Sequence, residues 1–568
     1  MRSVVTNLLV AAFAAGAACG GTGNDTSVSS NDASASSGSS SNAGTNSGGG
    51  SGSGTNAPSS SGASSGSSGT SGSSSGSSGA SSSGQGSSGG SSDAGGDSAW
   101  GTPVSGSPPF SGPTVTGTVT VEPSTSVGTI GSGFAGFSFE KTHLSNSTFV
   151  GMNAALIELF KLLGPTVARI GADDVDKCTW VPTAPAGGGA PPYSRSIGTA
   201  DVDGLAAFAK ATGARIIYGL DYSSNNPSNS AAEAAYAQNA LGANLYGFEI
   251  GNEINRYGTW PGTLKSQYDS IANAVLTAAP GAKLVGPAAG GGDALSLTTP
   301  FAADEASKNL VLLTQHYYAG TAGKLPDAQD YVSILLNLNQ STSQTGYVGT
   351  VQTTNTAAVS NRIPDGYRVG ECNTLAGHGQ DGISNALISA LWGLDFMFTT
   401  AEHGASGVNF HGGETGMDGS APFYYSPIEE TNGVVTAANP LFYGMLLFSL
   451  AGTGDELATT AVAGNLTFNT YALARTDGAL SVVLSNKDTS EGVKATVNVG
   501  RSVTSASAIY LQGPAPASLT SMTGITLAGA GISAAGAWNR QPPYALASSG
   551  NTFSVMVPPA SAALVRVQ

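Results

Sequence analysis

The amino-acid sequence predicts a (β/α)8 barrel followed by a C-terminal antiparallel β-sandwich. Three observations lead there. First, eight short apolar or β-branched runs between residues 127 and 453 alternate with stretches of helical periodicity. Second, from Glu456 the texture changes to short alternating runs separated by Gly, Asn and Pro, the pattern of an antiparallel sheet with one wet face. Third, the Gly and Ser excess of the 568-residue chain is a local feature. Ser and Gly fill 49 of the 70 positions from 31 to 100, and no Lys or Arg occurs between Arg2 and Lys141. A fibrous protein is excluded because Gly shows no three-residue period.

In chain order, residues 1–19 read as an export signal. Arg2 precedes an apolar run at residues 8–15, and Gly16-Ala17-Ala18-Cys19 supplies small residues at a cleavage site. The run is too short to span a bilayer. Cys19, followed by Gly20-Gly21 and a tether, stands where a bacterial lipoprotein carries its lipidated cysteine; a plain secretory signal is the alternative. Residues 20–110 read as a Ser/Gly-rich linker that cannot bury enough apolar surface to fold. The alternating residues 111–126 read as a strand that joins the sandwich.

The barrel is expected over residues 127–453. Its strand candidates are 129–139, 166–170, 215–220, 245–250, 283–286, 311–317, 367–370 and 407–410. Helical periodicity falls at 153–163, 202–212, 231–241, 264–279, 331–337, 384–403 and 441–450. A doubly wound nucleotide-binding sheet would carry GxGxxG after its first strand; that motif is missing directly after residue 139, and the GSGFAG at 131–136 lies inside the first strand candidate. The sandwich is expected over residues 454–568.

Composition narrows the function. The chain has 36 Asp+Glu against 21 Lys+Arg and a formal charge of −15, so no basic patch exists to neutralise phosphates, and nucleic acid is excluded as a partner. Cys178 and Cys372 are the only cysteines beyond Cys19; they either pair or stay as separate buried thiols. No CxxC, His/Cys cluster or Ser/His/Asp arrangement appears, no GxSxG occurs beyond the Ser/Gly-rich linker, and neither metal nor cofactor is expected.

In a barrel of this kind the chemistry sits at the C-terminal ends of the strands. Those ends carry Glu140, Asp173 and Asp174, Asp221 and Tyr222, Asn252 and Glu253, His316 and Tyr317, Glu371, and His411. Glu253 (FEIGNEINRYG) follows the fourth strand and Glu371 (YRVGECNT) the seventh, so the two carboxyls face each other across the barrel mouth. Two converging carboxyls suit cleavage of a glycosidic bond. One donates a proton to the leaving oxygen, and the other attacks or activates water.

Six ordered segments resemble glycoside hydrolase family 79, the bacterial β-glucuronidases related to heparanase. They are IGSGFAGFSFEKTHL, ARIGADDVDKCTW, FEIGNEINRYG, TQHYYAG, RVGECNTLAGHGQDGISNALISALWGLDFMF and GVNFHGG. The resemblance implies a retaining exo-β-glucuronidase with Glu253 as acid/base and Glu371 as nucleophile. It implies further that Asn252 binds the sugar 2-hydroxyl, Tyr317 holds the nucleophile and Glu140 contacts sugar hydroxyls. Asp173 and Asp174 fall at a substrate-contact position. The Gly-rich loop at Gly377, His378 and Gly379 would receive the substrate carboxylate together with Tyr424 or Tyr425. The same scaffold admits a sister glycosidase for another sugar, or a surface carbohydrate-binding lipoprotein without turnover. On any of these readings the partner is a carbohydrate, and membrane contact comes only through Cys19.

Overall fold

The computed structural model describes residues 100–568 other than 109, 147, 150, 188–195, 339–345 and 414–421. The export signal, Cys19 and the linker up to residue 99 lie outside the described residues. Among those described, no helix is long and apolar enough to cross a membrane.

The barrel is closed and parallel. After β1 (Thr114–Ile130) its strands are β2 (Ala135–Glu140), β3 (Val167–Gly171), β4 (Arg215–Leu220), β5 (Leu245–Ile250), β6 (Leu284–Ala289), β7 (Leu310–Thr321), β8 (Tyr367–Ala376) and β9 (Val408–His411). Pairing of Val408 with Ala135 and His411 with Ser138 shuts the ring. Helices cover the outer face and side chains fill the inside, so strands such as β2 and β3 are buried at every position.

Helices α1 (Ala154–Leu163), α2 (Thr199–Thr212), α3 (Pro227–Leu241), α4 (Gly262–Ala278), α5 (Ala294–Glu305), α6 (Ala328–Leu336), α7 (Tyr347–Ser360), α8 (Leu387–Glu402) and α9 (Pro440–Ala451) complete it. Two of these escape the sequence reading. Helix α5 contains Pro300, which reads as a breaker, and α7 (YVGTVQTTNTAAVS) is rich in poor helix formers. Both are held by tertiary packing rather than propensity.

Where a β-sandwich was expected, the C-terminal strands are joined in one hydrogen-bonded sheet. Its main strands are β10 (Gly454–Val462), β11 (Phe468–Arg475), β12 (Leu480–Asn486), β13 (Gly492–Asn498), β14 (Ala506–Gln512), β15 (Thr552–Val557) and β16 (Ser561–Val567). They form one continuous hydrogen-bonded path, β14-β16-β12-β11-β10-β1-β13-β15. The reason is β1, which is long enough to pair antiparallel with β10 on one side and parallel with β13 on the other. Strand β1 also takes in Thr129 and Ile130, which the sequence reading gave to the first barrel strand.

Several of these strands bury both faces. Val482 and Leu484 belong to the sheet's own core with Ala508, Tyr510, Ala563 and Val565. The intervening Val483, Ile509, Leu511, Ala562 and Leu564 join the barrel's helices in the larger core. The expected linker also ends early. Trp100 is buried, donates its indole N–H to Ser507 Oγ at 2.7 Å and lies under the Arg566 guanidinium at 4.3 Å. Cys178 and Cys372 are separate buried thiols.

One buried ion pair crosses from barrel to sheet. Lys487 reaches Asp395 of α8, and Asn469 donates to the same carboxylate oxygen at 2.7 Å. Removing one partner strands the other charge away from water. Lys487→Met is therefore expected to destabilise the full chain by about 3–5 kcal/mol, and Lys487→Met combined with Asp395→Leu to recover most of it. Denaturant unfolding of the three proteins measures this.

Candidate active site

The C-terminal strand ends surround a cleft of about 990 Å³ that includes Glu140, Asp173, Glu253, His316, Glu371 and His411. Its floor is set by Arg169, an inward-facing residue of β3 with no solvent exposure. The guanidinium donates to Glu249 Oε2 at 2.5 Å, Glu371 Oε2 at 2.8 Å, Asn252 Oδ1 at 2.7 Å and Ser138 Oγ at 3.1 Å. Burial opposes its charge, but Glu249 and Glu371 outweigh that and raise its pKa further. The sequence reading missed Arg169. The signal was there: an arginine inside a five-residue apolar strand needs a buried carboxylate partner.

Glu371 owes its place to a register shift. Between Val369 and Glu371, β8 advances two residues while β7 advances one, from Gln315 to His316. Such a bulge re-aims the side chain that follows it. Besides Arg169, Glu371 accepts from Tyr318 OH at 2.9 Å, and His316 Nδ1 lies 3.9 Å away. Burial alone would raise its pKa, but His316, His411, Arg169 and the Tyr318 hydroxyl together hold it well below the usual carboxylate range. The group is a carboxylate at any ordinary pH.

Glu253 stands on left-handed backbone, φ 47° and ψ 47°, and donates its own N–H to Ala288 O at 2.8 Å. His316 Nδ1 lies 3.0 Å from Glu253 Oε1, and Arg256 pairs with Oε2. Burial raises its pKa, yet the His316 hydrogen bond and charge, helped by Arg256, leave it below the ordinary value. An oxygen of Glu253, one of Glu371 and a ring nitrogen of His316 lie within 4.8 Å of one another. Those three could hold a cation, but Arg169 and Arg256 already bring positive charge to both carboxylates and work against one.

The other expected site residues divide. Asn252 is in the cluster, its amide donating to Asp173 Oδ1 at 2.9 Å while its oxygen accepts from Arg169. Asp173 lines the cleft and pairs with Arg256 at 3.0 Å. Asp174 is drawn aside by Thr142 at 2.7 Å and Lys177 at 3.0 Å, and its side chain is not part of the cleft wall.

Tyr317 does not touch Glu371; Tyr318 does. Residues alternate along β7, so His316 and Tyr318 share the inner face while the Tyr317 ring stacks on Phe396 at 5.6 Å, outside the barrel. That alternation was the signal available in HYY. Of the Tyr424/Tyr425 pair, Tyr425 is buried in the cleft wall, 6.0 Å from the Tyr318 ring, and Tyr424 is not part of the wall. Gly377 and His378 line the cleft, and Gly379 tucks beneath Tyr425 N and Ser384 with no room for a side chain. All three have positive φ (78°, 68° and 83°). His411 Nε2 lies 3.4 Å from Glu140 Oε1, and Glu140 Oε2 accepts from the Asp174 N–H at 2.7 Å.

Burial raises the Glu140 pKa to about 7 despite His411. The folded state thus holds this proton more tightly than an unfolded carboxyl of pKa 4.5 does, and stability is lost as pH climbs from about 4.5 to 7. Glu140→Gln removes that loss. The stability of Glu140→Gln relative to the parent is expected to rise by about 3 kcal/mol between pH 4.5 and pH 8, read from urea unfolding at each pH.

No protein-family model matches the chain, and no curated protein matches it. Solved structures do. A 4-O-alpha-L-rhamnosyl-beta-D-glucuronidase from Fusarium oxysporum superposes with a TM-score of 0.63 at 19% identity, covering 80% of this chain and 99% of that one. CelM2, a bifunctional glucanase-xylanase from a metagenome library, gives 0.56 at 14% identity, covering 80% and 99%. A GH51 arabinofuranosidase from Xanthomonas axonopodis pv. citri gives 0.53 at 17% identity, covering 80% and 100%. At these identities the likeness is one of fold: the barrel with its C-terminal sheet is the architecture of these glycoside hydrolases.

Proposed function

We propose that the chain is a retaining glycoside hydrolase, an exo-β-glucuronidase acting on glycans or glycosides that contain glucuronic acid. The observation that carries this reading is the approach of Glu253 and Glu371 oxygens to within 4.8 Å. Carboxyls about 5–5.5 Å apart leave no space for an intervening water, so one of them attacks directly. Glu371 is the nucleophile because it is held ionised. Glu253 is the acid/base.

In the first step Glu371 attacks the anomeric carbon while Glu253 gives its proton to the departing oxygen. In the second, Glu253 takes a proton from water, which displaces Glu371 and releases the sugar with its configuration retained. Glu253 needs its proton only in the first step. Arg256, whose side chain is 58% exposed, must then leave its carboxylate, and the ionised Glu371 nearby favours protonation. Once Glu371 is a glycosyl ester its charge is gone, and His316 favours the ionised Glu253 that the second step requires.

Glucuronate as the sugar rests on the resemblance of the six segments, with Gly377, His378 and Tyr425 on the cleft wall where its carboxylate would lie. A different sugar is the second reading, favoured by the acidic lining: Asp173, Glu253, Asp293 and Glu371 line the cleft and repel an anion. Export, with Cys19 as a lipid anchor, completes the proposal and rests on the first nineteen residues.

Hydrolysis of 4-nitrophenyl β-D-glucuronide is expected to exceed that of the matching glucoside, xyloside and arabinofuranoside. Cleavage of one of the latter without the glucuronide moves the chain to the second reading, and binding without turnover makes it a lectin-like protein. Glu371→Gln should abolish turnover, and Glu253→Gln should lower it about 10²–10⁴-fold. Steady-state assays on the cleaved glycoside measure both.

Tyr318→Phe removes a hydrogen bond to a charged oxygen, worth about 1.5–3 kcal/mol, and should slow kcat by one to two powers of ten. Tyr317→Phe should leave kcat near the parent value. A reversed order in these two would return the nucleophile contact to Tyr317.

A further inference from the structure

The loop after β6 presses on the back of Glu253, and the contact explains a glycine. A Cβ built on Gly290 would lie 1.9 Å from Glu253 Oε1, 2.3 Å from its Cδ and 2.7 Å from its Cγ. Gly290 is not in left-handed backbone, so no turn conformation demands glycine there. The carboxyl of Glu253 does.

The loop is held in place by Asn255, two residues beyond Glu253. Its amide donates to Gly290 O at 2.8 Å and to Asp293 Oδ1 at 2.9 Å, and its oxygen accepts the Gly290 N–H at 3.2 Å. This two-way amide-to-backbone pair ties the segment bearing Glu253 to the segment it leans on. A second tie lies beneath. The Glu253 N–H bonds to Ala288 O, both residues have positive φ (47° and 52°), and the Ala288 N–H donates to Thr314 Oγ1 at 3.0 Å. The carboxyl therefore sits between His316 on one side and the bare Gly290 backbone on the other.

We propose that Gly290 and Asn255 are positioning residues that set where the Glu253 carboxyl can stand, and so govern its proton transfer. The proposal rests on Glu253 being the acid/base. It assigns neither residue a contact with substrate. A methyl group at position 290 would meet the free end of a flexible side chain rather than backbone, so the fold absorbs it and the carboxyl moves.

The test uses Gly290→Ala, Asn255→Ala and Glu253→Ala in the full chain, each with the nitrophenyl glycoside and the methyl glycoside of whichever sugar the parent cleaves. A displaced acid/base harms the poor methanol leaving group most, because that step depends on protonation. Gly290→Ala should keep the parent Tm and circular dichroism and lose about 10²-fold or more on the methyl glycoside, a loss typical of a misplacement near 1 Å. Its loss on the nitrophenyl glycoside should be smaller. Sodium azide should restore nitrophenyl turnover and yield a glycosyl azide, and the pH profile should lose its acid-dependent limb. Asn255→Ala should move the same readouts in the same direction by less.

Parent-like rates for Gly290→Ala on both substrates would overturn the proposal. So would equal losses on both with no azide response, the pattern of a merely structural role. Glu253→Ala separates the two ideas. If azide rescues it while Gly290→Ala and Asn255→Ala behave as the parent, only the positioning role fails. If Glu253→Ala shows neither leaving-group dependence nor rescue, the acid/base assignment fails and takes the proposal with it.

Discussion

A single buried guanidinium organises the barrel mouth. Arg169 is fully removed from water, which is tolerable only because its donors are matched by carboxylate and amide oxygens on every side. Those partners come from different strands: Ser138 from β2, Glu249 from β5, Asn252 just beyond β5 and Glu371 from β8. Glu249 also accepts from Thr314 of β7 at 2.7 Å, and Thr314 holds the Ala288 N–H. Since Ala288 O receives the Glu253 N–H, Glu253 and Glu371 hang from one connected network. An uncompensated charge at this depth would cost several kcal/mol, so none of these groups can drift without cost to the rest.

The outer shell holds that network still. Helix α8, which follows the strand of Glu371, is buried along nearly its whole length between the barrel and the C-terminal sheet. Its first N–H groups would be orphaned at a buried helix end. Instead Leu387 and Ile388 donate at 2.8 Å to the carbonyls of Ser521 and Leu519, in the loops of the sheet. With Lys487 on Asp395 farther along, the sheet supplies partners that the barrel cannot provide for itself. Its both-face burial follows from that role: Val483, Ile509 and Leu564 serve the barrel while Val482, Tyr510 and Val565 serve the sheet.

The barrel was legible because periodicity reports burial, and a barrel strand is buried throughout. Glu253 and Glu371 were legible because each follows such a run in a charge-poor chain. Arg169 was hidden for the converse reason: one charge inside an apolar run does not alter its period, and its partner Glu249 lies inside another run, LYGFEI. The Tyr317 reading failed on strand parity, which a motif does not state and a pleat enforces. Helices α5 and α7 were lost because local propensity argues against them. That the C-terminal strands form one hydrogen-bonded path was hidden because sequence alternation cannot show that β1 bridges two sets of strands.

The scarcity of charge also finds a physical setting. Asp, Glu, Lys and Arg are rarely buried, yet about a third of those in the described residues are. The charges that remain in this domain are spent largely on placing groups. Arg256 is an exposed cation, shared by Asp173 and Glu253 at the cleft. Under the proposed chemistry that sharing has a consequence. A substrate carboxylate that drew Arg256 toward itself would take from Glu253 the lesser of the two groups that hold it ionised, leaving His316 in place, and would ease its protonation as the anion arrived. A neutral sugar has no such lever, and must displace Arg256 by shape and desolvation alone. The charge on the substrate would then help to prepare the proton donor, an effect that works against the repulsion from the acidic lining.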